Sequence, residues 1–212
     1  MGTTRAITSD EYERLKAEAG RSPRTGLRDR ALVVLLRRAG LRISEALSLR
    51  MADVLEPAPA GSPGPQTGAR VVSELQVARR NVKGKHRGRV IPLHPEAVEA
   101  IRAWTAAMAL AGWQRADTWL FRRVGPENRP VGRTQAWKAI RRSARAAGIG
   151  GCVAPHSLRK TFGKAIYEAS GHDIRMAQEG LGHDEVTSTQ QYLANDRDRL
   201  RELILGDSVG ER

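Results

Sequence analysis

The sequence predicts a mainly helical α+β domain carrying a small antiparallel β-sheet. Three observations predict it. Apolar residues recur at i, i+3 and i+4 through most of the chain, the period of a helix with one buried face. Only residues 70–92 read as extended segments, and they flank the glycine-containing turn Lys83-Gly84-Lys85-His86. Prolines cluster at 57, 59, 63 and 65, which confines one irregular stretch to a single loop.

The elements follow in order. Ser9 is placed as N-cap of a first helix, with Glu11 and Glu13 in its first turn and its end near Gly20. Thr25 caps a second helix carrying Leu32, Leu35 and Leu36, and Gly40 is its C-cap. Residues 41–50 read as a short third helix with Ile43, Ala46, Leu47 and Leu49 as its apolar stripe. Residues 56–68 mix proline with Ala, Gly and Ser and read as a flexible loop. Extended segments at 70–81 and 88–92 come next, with the lysine turn as a hairpin tip. Residues 95–111 make a strong helix with Val98, Ile101, Trp104 and Met108 on one face. Residues 134–147 make another, with Trp137 and Ile140 inward and Arg141, Arg142 and Arg145 outward. Helices over 155–169, 173–181, 186–193 and 196–205 complete the chain. One domain over 9–205 is therefore expected, with 1–8 and 206–212 as flexible ends.

Composition narrows the function. Lys plus Arg number 36 against 23 Asp plus Glu, a formal net charge of +13 that suits a polyanionic partner such as nucleic acid. The longest apolar run, residues 31–36, is far below the ~18 residues of a membrane span. Residues 1–5 lack the apolar core of a signal peptide. A single cysteine, Cys152, excludes an internal disulfide and a cysteine-based zinc site, and it reads as structural. His156, His172 and His183 lack HExxH spacing, so no metal or cofactor is expected.

Cations, proton carriers and a nucleophile occur in one order. Arg42 follows Gly40-Leu41 at the start of a helix, where backbone N–H groups already favour anions and a guanidinium fork matches two phosphate oxygens. Lys83 or Lys85, at the hairpin tip, could enter a DNA groove and protonate a leaving oxygen. His156 and Arg159 are three residues apart on a predicted helix and share a face. His156 can accept or donate a proton while Arg159 holds a phosphate. His183 follows Gly182, and Tyr192 comes nine residues later. A phenol, whose pKa is near ~10, needs cations and a base beside it to attack at neutral pH. Of the other tyrosines, Tyr12 lies in the first helix with no cationic company in the sequence. Tyr167 is eleven residues beyond His156, about 16 Å along a helix axis, and reads as packing.

The ordered set Gly40-Leu41-Arg42-Ile43-Ser44-Glu45, Lys83, His156-xx-Arg159, Leu181-Gly182-His183 and Tyr192 resembles the tyrosine recombinase (phage integrase) family, over roughly residues 8–200. Residues 89–93 are similar to the stretch that follows that family's lysine. The resemblance implies the family's catalytic-domain fold. It also implies Arg42 and Arg159 as phosphate clamps, Lys83 as general acid, His156 as acid/base, His183 as a phosphate hydrogen-bond donor and Tyr192 as nucleophile. The implied activity is site-specific recombination of double-stranded DNA through a 3′-phosphotyrosyl intermediate, with neither metal nor ATP. The partner is DNA, with a free monomer becoming a homotetramer on it through the C-terminal segment, in the cytoplasm of a bacterium or phage-infected cell near the nucleoid. Topoisomerase IB-like relaxation and a non-catalytic DNA-binding regulator are the alternatives. Two departures stand out. The family carries an N-terminal helical DNA-clamping domain that residues 1–8 are too few to form, so a catalytic-domain-only member or a fragment is expected. The lysine hairpin is one residue longer than usual, which leaves Lys85 as the alternative to Lys83.

Overall fold

The computed structural model describes residues 4–57, 69–77 and 89–182. Among them lie α1 (Ser9–Gly20), α2 (Gly26–Arg38), α3 (Ile43–Leu47), α4 (Met51–Val54), β1 (Leu55–Pro57), β2 (Ala69–Val71), β3 (Glu74–Val77), β4 (Arg89–Pro92), α5 (Pro95–Leu110), α6 (Arg133–Ala146), α7 (Pro155–Ala169) and α8 (Ile174–Leu181). The mainly helical α+β class holds. The chain divides into two compact units, one up to Phe162 and the other from Gly163.

In the first unit α2 is the central rod. Ala31, Leu32, Val33, Val34, Leu35 and Leu36 are all buried, an apolar run rather than a stripe, because α1, α5 and α6 cover the helix on several sides. Burial of the valine and leucine side chains among them is worth about 1.5–3 kcal/mol each before chain entropy is subtracted. Ile101 and Met108 of α5 and Ala136, Ile140 and Ala144 of α6 supply the facing apolar surface.

The strands form two antiparallel pairs. β1 pairs with β2 in the register Glu56↔Arg70, and β3 pairs with β4 in the register Leu75↔Ile91. Leu75 and Val77 alternate inward along β3, the period of a strand with one covered face.

Several boundaries differ from expectation, each for a local reason. The first helix is capped by Thr8 rather than Ser9. Thr8 Oγ1 accepts from the Glu11 amide at 3.1 Å while Glu11 Oε2 accepts from the Thr8 amide at 2.9 Å, a reciprocal pair that Ser9 is one residue too late to make. The third helix is shorter than 41–50. Arg42 is extended, the helix stops at Leu47, and Arg50 starts a new cap in which Asp53 Oδ2 accepts its amide at 2.8 Å. Residues 56 and 57, read as loop, belong to β1, because Glu56 pairs with Arg70 both across the ladder and by a 2.7 Å ion pair. The segment read as continuous from 70 to 81 splits at Val72-Ser73, so β2 and β3 serve different partners. Residues 186–193, 196–205 and the lysine turn lie outside the described residues.

Tyr12 is the largest reversal in this unit. Its ring has Lys16, Arg38 and Arg37 at 5.1, 5.4 and 5.7 Å from the centroid, and its hydroxyl donates to Glu96 Oε1 at 2.9 Å. Lys16 comes from one turn along α1, whereas Arg37 and Arg38 come from the far end of α2 and reach the ring only through the tertiary fold.

Glu96 and Glu11 are held at about 2, against an ordinary 4.5. For Glu96 burial acts in the opposite direction, and the donors Lys16, Arg38 and Tyr12 outweigh it. For Glu11 the Arg5 guanidinium dominates. A carboxylate depressed in the folded state stabilises it above the unfolded pKa and loses that contribution as pH falls. Urea unfolding should therefore show stability dropping between pH 4.5 and 2, by up to about 1.4 kcal/mol per pH unit for each carboxylate. Glu96→Gln and Glu11→Gln should each flatten that slope.

Within the second unit the described residues are those from Gly163 to Gly182. A Cβ at Gly163 would meet Leu181, so the glycine lets the second half of α7 approach α8 closely. Asp173 caps α8, its Oδ1 accepting the Arg175 amide at 2.7 Å, and Gly182 ends the helix with φ 61°. Tyr167 packs edge-on against His172, with ring centroids 4.9 Å apart. No helix among the described residues is long and apolar enough to cross a membrane.

Candidate active site

The site begins where α2 ends. The Ala39 amide closes the helix on the Leu35 carbonyl, and Gly40 then takes φ 58°. Glycine is required here twice over. Its backbone is left-handed, and a Cβ would enter the ring of Phe162 on α7. This close approach brings the Gly40 carbonyl to α7, where Arg159 Nη1 donates to it. Arg159 is 2% exposed, buried to an extent rare for a guanidinium.

Arg42, two residues further, is the N-cap of α3. Its amide donates to Glu45 Oε2 and its Nη1 to Glu45 Oε1, both at 2.7 Å. Glu45 is 1% exposed and also accepts from Arg89 Nη2 at 3.2 Å, where β4 begins. One buried carboxylate thus aligns two guanidinium groups, and the local balance stays positive. Burial presses the Arg89 pKa down, Glu45 opposes this, and the charge of Arg42 adds to the depression. Arginine nevertheless keeps its charge at neutral pH. Arg42 is 31% exposed on its side chain and so reaches both the buried anchor and the surface.

His156 lies in the first turn of α7, three residues before Arg159. The helix start is held by Ser157, whose Oγ accepts from the Ala154 amide at 3.2 Å. Thr161 Oγ1 donates to the Ser157 carbonyl at 2.8 Å and accepts from the Ile7 amide at 3.0 Å, so the segment before α1 straps this helix down. His156 is open on one side. Desolvation on its packed side lowers its pKa below 6.5, and the charges of Lys160 and Arg159 lower it further. The imidazole is therefore neutral at pH 7, with one nitrogen able to accept a proton.

The first unit brings Arg42 and Arg159 to one turn and sets His156 beside Arg159. Lys83, Lys85, His183 and Tyr192 lie outside the described residues. Two participants went unassigned in the sequence, Glu45 as anchor and Arg89 as a third cation. Glu45 carries a signal, since a carboxylate at the third position after a helix cap reaches back to it. Arg89 carries none, because its partner is 44 residues away.

A second cationic surface lies on α6. Trp137, expected inward, is 41% exposed, because Ala136, Ile140 and Ala144 already fill the inward stripe. The Arg141 guanidinium sits 4.7 Å over its ring. Trp137, Lys138, Arg141, Arg142 and Arg145 line an open cleft of about 210 Å³. Among the described residues, these four cations take part in no ion pair.

Comparison with known proteins gives this geometry a context. The phage integrase family matches residues 5–199. The chain is 36% identical over 183 residues to the tyrosine recombinase XerD of Corynebacterium glutamicum, covering 85% of this chain and 52% of that protein. It is 34% identical over 210 residues to XerD of Mycobacterium tuberculosis H37Rv, covering 95% of this chain and 60% of that protein. The chain thus spans little more than half the length of these relatives. Among solved structures, the XerA recombinase superposes with a TM-score of 0.70 at 27% identity, covering 99% of this chain and 67% of that one. With the family matched from residue 5 to residue 199 and the recombinase fold shared, the chain belongs to the phage integrase family.

Proposed function

We propose that the protein is a site-specific DNA recombinase that cuts and rejoins double-stranded DNA by transesterification. The observation that carries this reading is the convergence of Arg42 and Arg159 on the Gly40 turn, with His156 three residues before Arg159 on α7. Two guanidinium groups near one turn suit the non-bridging oxygens of a phosphodiester. The α6 face adds cations without an ion pair among the described residues for neighbouring phosphates, and an exposed tryptophan.

In the proposed reaction Tyr192 Oη attacks a DNA phosphorus and the bond to the 5′ oxygen breaks. The phosphate becomes 3′-linked to Tyr192, and the 5′ oxygen leaves as a hydroxyl after taking a proton from Lys83, or Lys85 in the other register. His156 accepts the phenolic proton, and His183 donates a hydrogen bond to the phosphate. The 5′ hydroxyl of a partner strand then attacks the phosphotyrosine, giving its proton back to the lysine, while the bond from phosphorus to Tyr192 Oη breaks and Tyr192 takes its proton back from His156. The ester stores the bond energy, so ATP is not needed. The arginines and the lysine supply the charge that Mg²⁺ gives other phosphoryl-transfer enzymes. The free protein is proposed to be a monomer that forms a homotetramer on DNA through the residues after Tyr192. There the sequence spaces Leu200, Leu203 and Ile204 at i, i+3 and i+4, the pattern of an apolar helix face that a short segment would have to bury against a partner. The expected compartment is the bacterial or phage-infected cytoplasm.

The test uses nicked suicide duplexes with a randomised core, incubated with EDTA and without nucleotide. The expected result is a protein–DNA adduct that survives denaturation, followed by strand exchange between two duplexes carrying the selected core. Supercoil relaxation without exchange would show a topoisomerase. Specific binding without an adduct would show a regulator on the same fold.

A further inference from the structure

The cluster around Tyr12 lies outside the site described above, yet it ends four residues from Arg42. Glu96, in the first turn of α5, is its hub. Tyr12 Oη and Lys16 Nζ both donate to Oε1, at 2.9 and 2.6 Å, and Arg38 Nε donates to Oε2 at 2.5 Å. The carboxylate joins three helices, since Tyr12 and Lys16 come from α1 and Arg38 is the last residue of α2.

Placement distinguishes this pair from an ordinary helix-end ion pair. A cation in the last turn of a helix is already favourable to the helix dipole. Here it is also tied sideways to α5, directly before the turn that serves the site. Gly40, whose carbonyl receives Arg159, is two positions after Arg38, and Arg42 two positions further. Gly40 is packed so closely against the Phe162 ring that a Cβ would clash with it, so the turn has little room to move independently of α7. A tilt or fraying of the last turn of α2 therefore moves the Gly40 carbonyl and the entry of Arg42 into α3 together.

We infer that Arg38 and Glu96 are positioning residues, whose ion pair sets the geometry in which Arg159 and Arg42 present their guanidinium groups to a phosphate. The inference rests on the strand-transfer reading for its kinetic consequence, but its geometric content is independent of it. Glu96 stays ionised through the neutral range, and Tyr12, pushed up chiefly by its burial, stays a donor, so the device does not titrate under working conditions.

Glu96→Gln keeps the shape and removes the charge. It is expected to bind DNA within about twofold of the parent and to form adduct about tenfold or more slowly in single turnover, because misplacement by a fraction of an ångström is felt in the rate rather than in affinity. Arg38→Lys should recover part of the loss seen in Arg38→Ala. Lys16→Met removes a donor from the same carboxylate on the α1 side. It should lower the unfolding midpoint while leaving the adduct rate within about twofold. A second readout does not depend on activity: titration with inorganic sulfate, followed by the NMR signals of the Arg42 and Arg159 side chains. Sulfate binding should weaken about fivefold or more in Glu96→Gln and not in Lys16→Met. If the parent forms no adduct on any duplex, the strand-transfer reading fails and the sulfate titration alone decides the positioning role. If Glu96→Gln does not fold, Arg38→Lys carries both measurements. An adduct rate and a sulfate affinity both within about twofold of the parent in a folded variant would overturn the inference.

Discussion

Tyr192→Phe is expected to bind DNA as the parent does and to form no covalent adduct. The substitution removes one oxygen and leaves the ring, so packing and backbone are untouched while the only atom proposed to bond to phosphorus is lost. The effect should be total rather than graded, because a phenylalanine ring carries no nucleophilic oxygen. Tyr12 cannot stand in. Its hydroxyl is a donor to Glu96 within a buried cluster, and burial with Glu96 pushes its pKa upward, away from the ionised form that attacks. Tyr167 is packed edge-on against His172. A normal adduct yield from the Phe variant would remove Tyr192 from the mechanism.

Arg159→Ala and Arg42→Ala should each slow cleavage by about 10² or more, the usual cost of losing a preorganised donor to developing charge. Their side effects should differ. Arg159 is buried and satisfies the Gly40 carbonyl, so its truncation leaves a cavity and an unpaired acceptor, with an expected stability loss on the order of 2–4 kcal/mol. Arg42 is partly exposed, but removing it leaves Glu45 buried with the Arg89 ion pair, at 3.2 Å, in place. A smaller stability loss is expected there. Arg159→Lys should not restore the rate fully, because an ammonium cannot hold the carbonyl and a phosphate in the fixed geometry of a guanidinium fork. Single-turnover cleavage near the parent rate in either folded Ala variant would reject the phosphate-clamp role.

Much of this was legible in the sequence because it is local. The i, i+3 spacing of His156 and Arg159, the glycine before Arg42 and the apolar run of α2 all report on structure within one or two turns. The helices over 95–110 and 155–169 came out nearly to the residue for that reason. What stayed hidden depends on partners far apart in the chain. The Arg89–Glu45 contact spans 44 residues and the Tyr12–Glu96 contact 84, and no periodicity encodes either. The outward turn of Trp137 is not legible because large aromatic residues usually go inside, whereas here Ala136, Ile140 and Ala144 fill the core side. The short β1 strand was hidden by its proline, which an edge strand tolerates.

The proposed mechanism turns on which atom holds the DNA. After trapping on a suicide duplex and digestion with nuclease and trypsin, the peptide covering residues 176–197, whose one tyrosine is Tyr192, should carry a nucleotide joined through its 3′ phosphate. The peptide covering residues 165–175, with Tyr167, should be unmodified. A nucleotide on any residue other than Tyr192, or one joined through its 5′ phosphate, would contradict the account.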